Sequence, residues 1–171
     1  DRALLDALES AETTAVGQGV WRVARAGRDP LRGSAADGRW SPGGPVEVLY
    51  TSMEREGALA EIGFRLSLEP VWPSRISHDI HEIAVRTWNT LRFADVAALT
   101  RYGVDAARYA SFDYGACQAL AAAAHWLEFD GLLVPSARHA SHNLVIFMDR
   151  EAVASLEVTN SEAVDWSAWR K

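Results

Sequence analysis

The chain has 171 residues, 49% of them apolar and 23% charged, and a net charge of −6. That length and balance suit a single globular domain with a core of its own, and the acidic excess counts against direct nucleic-acid binding, because phosphate contact needs a basic face. Cys117 is the one cysteine, which excludes an intrachain disulfide and fits a reducing, cytoplasmic compartment, and no apolar run approaches the ~20 residues of a membrane span.

In chain order, Leu4, Leu5, Leu8 and Ala11 recur at helical spacing and predict an amphipathic helix over residues 3–12, stopped by Gly17 and Gly19. Val20–Ala24 alternates as a strand, with Val20, Arg22 and Ala24 on one face and Trp21 and Val23 on the other. Residues 25–45 are rich in glycine and proline and predict a long loop, a kind of segment that often carries function. Val46–Tyr50 reads as a second strand. Thr51 and Glu54 form a capping-box pattern, so a helix is expected from Thr51 or Ser52 to about Leu66. Leu59, Ile62 and Leu66 make its core stripe, with Ala58, Glu61 and Arg65 on the neighbouring face. Pro70 and Pro73 break the chain; short strands follow at His81–Thr87 and Leu91–Phe93, then a short helix at Ala94–Arg101.

Residues 112–127 give the clearest helix, Ala-rich, with Cys117, Leu120, Ala121 and Ala124 on its packing side, so Cys117 reads as a small core residue. Gly131–Val134 and Leu144–Met148 have strand length, joined by the polar stretch Pro135–His142. The tail carries Trp166 and Trp169 without a clear periodicity, and the other tryptophans, Trp21, Trp40, Trp72, Trp88 and Trp126, read mostly as packing. Helices and short strands mixed without βαβ alternation predict an α+β fold, and the lack of G-x-G-x-x-G and G-x-x-x-x-G-K-[ST] argues against Rossmann and P-loop nucleotide binding.

The stretch from Gly38 to Glu61 concentrates the chemistry: an arginine in a Gly-rich loop, a strand ending in Tyr50, Ser52 near a helix start, and Glu61 further along that helix. Arg39 suits bidentate contact with a diphosphate, or is simply a solvated loop residue. Arg22 is costly within an apolar strand unless it is paired, lines a cleft or faces water at an edge. Tyr50 suits stacking on a flat base, or packing in the core. Ser52 suits a helix cap. Glu61 has two readings: an ion pair with Arg65 four residues on, or a half-buried carboxylate that stabilises a cationic sugar. Ser136 follows a strand but lacks the G-x-S-x-G setting of a nucleophile, so it suits a positioning role. Asn143 opens the last strand as a turn residue or a hydrogen-bonding group. The pairs His78/His81 and His139/His142 have metal-like spacing only on a helix, and neither segment reads as one, so no metal is expected.

In this order and spacing, Trp21–Arg22, Gly38–Arg39–Trp40, Tyr50 with Ser52, Ala58–Leu59–Ala60–Glu61, Gly131–Leu132–Leu133–Val134–Pro135–Ser136 and Asn143–Leu144–Val145–Ile146–Phe147 resemble the RES domain family over about residues 18–150. One domain over residues 1–171 is therefore expected, an N-terminal helix and a C-terminal tail flanking that core. The resemblance implies a bacterial toxin of a type II toxin–antitoxin pair, with small split sheets and flanking helices similar to ADP-ribosyltransferases of the diphtheria-toxin type. It implies NAD as substrate, cleaved at the nicotinamide–ribose bond, with the ADP-ribosyl group passing to a protein, to phosphate or to water. A protein acceptor is favoured here, and an Xre-type helix-turn-helix antitoxin is the implied partner. By the same resemblance Arg22 and Arg39 would bind the phosphates, Tyr50 would pack on nicotinamide, Ser52 and Asn143 would line the site, Glu61 would be the key carboxylate, and Ser136 would help hold the pocket. This chain departs from the family in having Val23 and Ala24 after the first arginine, where an aromatic and a glycine are common, and His142 before the late asparagine, where a glycine is common. A non-catalytic partner-binding domain, a metal-dependent hydrolase and a ribonuclease are the alternatives of other classes.

Overall fold

A computed structural model describes residues 1–169. Its helices are α1 (Arg2–Glu9), α2 (Arg55–Ser67), α3 (Val96–Leu99) and α4 (Gly115–Trp126), and its strands are β1 (Thr13–Arg25), β2 (Val48–Ser52), β3 (His78–Arg92), β4 (Gly131–Pro135), β5 (His142–Phe147) and β6 (Glu157–Ala163). The architecture is α+β. The strands follow the order β1-β2-β5-β4-β3-β6, with β1 also pairing β3.

The long strand β3 joins two groups. Its first half lies antiparallel between β1 and β6, while Thr90–Arg92 at its end run parallel to β4. Antiparallel β2, β5 and β4 make the second group. Across from the β3–β4 junction, β1 and β2 meet at the single pair Trp21↔Ser52.

Strand alternation sets the core of the second group. On one face Val48, Val145, Phe147, Leu132 and Val134 pack with Leu120, Ala121 and Ala124 of α4 and with Leu8 of α1. On the other face Leu49, Leu144, Ile146 and Leu133 pack with Val20 and Ile83 of the first group. Helix α2 lays Ala58 and Leu59 on Val23 and Ile80, and Trp166 of the tail closes that cluster. Among the described residues no helix is long and apolar enough to cross a membrane.

Several sequence expectations need correction. Gly17 and Gly19 do not end a helix; they lie inside β1, because β3 supplies a ladder along its length. The two short strands expected at His81–Thr87 and Leu91–Phe93 are one strand, β3. Thr51 and Ser52 do not open α2. They belong to β2, paired with Leu144 and Asn143, and the helix starts at Arg55 with Glu54 as an N-cap that makes no side-chain cap bond. The helix expected at 112–127 starts at Gly115. The tail contributes the sixth strand and places Trp166 at 4% exposure. Trp88 and Trp126 are not packing residues; they are 57% and 75% exposed.

Candidate active site

On three neighbouring strands the same face runs from apolar to polar toward one end: Val48, Tyr50, Ser52 on β2; Phe147, Val145, Asn143 on β5; Leu132, Val134, then Ser136 just past β4. The register places Ser52 opposite Asn143, and Asn143 opposite Val134. The strand ends thus present a row of polar side chains where the packed core stops.

Helix α2 is brought onto that row by a glycine. A Cβ on Gly57 would come within 2.3 Å of Ser52 Oγ and 2.4 Å of Ser141 Oγ, so no other residue allows this approach without displacement. Glu61, about one turn further along α2, then reaches the strand ends. Its Oε1 accepts hydrogen bonds from Ser136 Oγ at 2.6 Å and from Asn143 Nδ2 at 2.9 Å. Ser136 is itself fixed, since its Oγ accepts from the backbone N–H of Arg138 and of His139, and its own N–H donates to the Ser141 carbonyl. Glu61 therefore points inward, half-buried, and no ion pair with Arg65 forms among the described residues.

The flanking residues are held in different ways. The Arg22 side chain reaches across to β2 and donates to the Tyr50 carbonyl at 3.0 Å; burial, and then the Arg65 charge, lower its pKa. The Tyr50 hydroxyl accepts from the Trp40 N–H at 3.1 Å, and burial pushes its pKa up to about 12, so it stays protonated. Ser52 is buried and accepts from the Glu54 N–H at 3.2 Å. Arg39 is turned toward the segment before α4, where it donates to the carbonyls of Tyr109 and Ser111 and lies 4.8 Å from the ring centres of both Tyr109 and Tyr114.

The structure thus joins Glu61, Ser136 and Asn143 directly and sets Ser52 and Tyr50 beside them along β2. The two arginines expected to converge with Glu61 do not contact it in this structure. The guanidinium whose charge interacts with Glu61 is Arg138, which also feels Arg39; burial and then Arg39 lower its pKa, and Glu61 opposes that. Sequence reading missed this residue, whose only signal is its place two positions after Ser136. A cavity of about 170 Å3 lies behind Arg39 and is also lined by Val104, Asp105, Tyr109, Asp113 and Cys117. It does not include Glu61, and it is small beside the ~300–1,000 Å3 of ordinary small-molecule clefts.

Two buried side-chain atoms, Arg22 Nε and Asn143 Oδ1, have no hydrogen-bond partner among the described residues. Buried polar groups are normally satisfied, so these two atoms are exceptions in this part of the fold. The histidines are engaged elsewhere: His78 Nδ1 accepts from Trp166 Nε1, His81 Nδ1 pairs with Ser161 Oγ, His139 Nδ1 with Ser141 Oγ, and His142 Nε2 with the carbonyls of Phe93 and Ala94. His142, where the family commonly has glycine, therefore ties β5 to the turn after β3. Among the described residues no group of three or more His, Cys, Asp or Glu stands together as a metal site.

No curated protein matches the chain. A chain of the M. tuberculosis MbcT–MbcA toxin–antitoxin complex superimposes with a TM-score of 0.85 at 21% identity, covering 99% of this chain and 96% of that one. At that identity the likeness speaks for the fold. The family model described as "RES domain" matches residues 19–167, a span that takes in Arg22, Arg39, Glu61, Ser136 and Asn143. On that match, the chain belongs to the RES domain family.

Proposed function

We propose that this chain is the NAD-consuming toxin of a type II toxin–antitoxin pair. In this reading it breaks the bond between nicotinamide and ribose and passes the ADP-ribosyl group to an acceptor, on a fold similar to ADP-ribosyltransferases of the diphtheria-toxin type. The observation that carries it is the Glu61 carboxylate, fixed by Ser136 and Asn143 at the strand ends. A carboxylate already oriented before substrate arrives can stabilise developing positive charge without reorganising, the largest single effect at many catalytic sites.

The C1′–N bond of NAD breaks with its electron pair leaving on nicotinamide, which becomes neutral as the ribose becomes an oxocarbenium-like cation. Glu61 stabilises that cation and anchors the ribose hydroxyls. Arg22 and Arg39 neutralise the diphosphate. Tyr50 packs on the leaving base, and Ser52 and Asn143 line the floor. The nucleophile then forms a bond to C1′ and gives up its proton.

A protein side chain is the favoured acceptor. A second reading, phosphate or water as acceptor, is supported by Arg138, whose guanidinium charge interacts with Glu61. The partner in either case is an Xre-type helix-turn-helix antitoxin that covers the site. Mass spectrometry of purified protein incubated with NAD, phosphate and cell lysate tests this proposal. Free nicotinamide with a modified protein is expected; ADP-ribose 1-phosphate or ADP-ribose would assign the acceptor to phosphate or water, and unconsumed NAD would refute the enzyme.

A further inference from the structure

Arg39, which the NAD reading assigns to the diphosphate, and Arg138, whose charge interacts with Glu61, both already hold other partners. Arg39 donates to the carbonyls of Tyr109 and Ser111, and Arg138 Nη1 donates to the carbonyl between them, Ala110, at 3.0 Å. Three successive carbonyls of one short segment thus occupy two guanidinium groups. The next residue, Phe112, is 63% exposed, yet its ring stacks on Phe64 at 6.4 Å and lies 5.8 Å from the Arg138 guanidinium. Arg138 is in turn 3.6 Å from the Phe64 ring centre. Phe64 stands three residues after Glu61, and Arg138 two after Ser136, so Phe112 bridges the two sides of the Glu61–Ser136 hydrogen bond.

We propose that residues 110–112, anchored by the buried Tyr109 whose hydroxyl donates to the Pro135 carbonyl, form a latch across the site, held by Arg39 and Arg138, and that a diphosphate ligand opens it by taking those guanidinium donors from the carbonyls. The proposal rests on the NAD reading for the natural ligand. A guanidinium pairs bidentately with a phosphate, opposite charge to opposite charge, which separate neutral carbonyls do not offer, so the ligand has the differential affinity for the open state that a shift of conformation requires. Opening also uncovers Arg138 as a further anion-binding group beside Glu61. Because the stack of Phe112 on Phe64 and Arg138 stabilises only the closed state, weakening it lowers the cost of opening.

The full chain is titrated with two probes, ADP-ribose and inorganic pyrophosphate, as wild type, Phe112→Ser and Phe112→Leu, with backbone amide exchange followed over residues 106–114. Both variants are expected to bind ADP-ribose about two- to five-fold more tightly than wild type, and the amides of the segment to exchange faster when either probe is bound. Pyrophosphate that loosens the segment while ADP-ribose does not bind keeps the latch and refutes the NAD reading. ADP-ribose that binds while the segment is unchanged or better protected, or variants that bind it equally or more weakly, overturns the latch and leaves the NAD reading standing. Neither probe altering the segment in any of the three proteins also overturns it.

Discussion

Ser136 illustrates how much one hydroxyl does here. It donates to Glu61 at 2.6 Å and accepts from two backbone N–H groups, so its orientation, and through it that of the carboxylate, is determined by the loop after β4. Removing the hydroxyl leaves Glu61 with Asn143 alone. Ser136→Ala is expected to slow nicotinamide release by about 10- to 50-fold, the equivalent of losing one charge-assisted hydrogen bond, with the thermal midpoint shifted by only a few degrees because the freed N–H groups sit in a half-buried loop. Steady-state rates beside a melting curve check both halves, and an unchanged rate would show that Ser136 does not position the acid. Glu61, on α2 with Arg65 four residues on, was singled out only by the RES resemblance, whereas Ser136 and Asn143 were open to sequence reading because they flank strand-length apolar runs. The turning of Arg39 toward Tyr109 and Ser111 was not, since a loop arginine carries no periodicity that fixes its partner.

Among the elements, α2 matters most, and its placement depends on Gly57 lying against Ser52 and Ser141. A larger side chain there must push the helix from the strand ends and take Glu61 with it. Gly57→Val is expected to destabilise the fold by about 1–3 kcal/mol, as overpacking does, and to lower activity beyond what the loss of folded protein explains. Denaturant midpoints and activity per folded molecule separate the two effects. The start of α2 was misread because Thr51 and Glu54 mimic a capping box, whereas pairing with β5 holds Thr51 and Ser52 in a strand. β6 escaped detection because its residues are largely exposed and lack an apolar alternation; it forms because the edge of β3 offers unpaired backbone groups.

The contact between β3 and the tail has a pH dependence of definite sign. Burial lowers the pKa of His78 below 6.5, with Arg25 adding to the shift and Asp79 opposing it; burial also lowers that of His81, with Asp79 opposing and Arg22 adding. In the folded state both rings resist protonation, while in the unfolded chain they take up protons once the pH falls below about 6.5. The unfolded state then binds more protons, so stability is retained above that pH and declines below it. Thermal midpoints measured from pH 7.5 to 5.5 are expected to fall. In His78→Asn, whose side-chain carbonyl can still accept from Trp166 Nε1, the fall should be smaller. A variant that loses stability with acid as steeply as wild type would remove His78 from this account.

At the scale of the whole molecule, a chain of net charge −6 sets the Arg138 guanidinium where it feels both Arg39 and Glu61. The overall acidity is the ground for expecting no nucleic-acid surface, but it says nothing about local charge. The α+β class was legible because strand-length and helix-length apolar runs alternate irregularly. The joining of two strand groups through β3 was not, because it depends on which edges meet in space. The central claim is that Glu61 stabilises charge formed during NAD cleavage. Glu61→Gln keeps an oxygen able to accept from Ser136 and Asn143, so the fold and NAD binding should persist. The direct test is nicotinamide released per folded molecule by this variant beside wild type. A fall of hundreds-fold, about 3–4 kcal/mol in the barrier, is expected, whereas release at the wild-type rate would contradict the account.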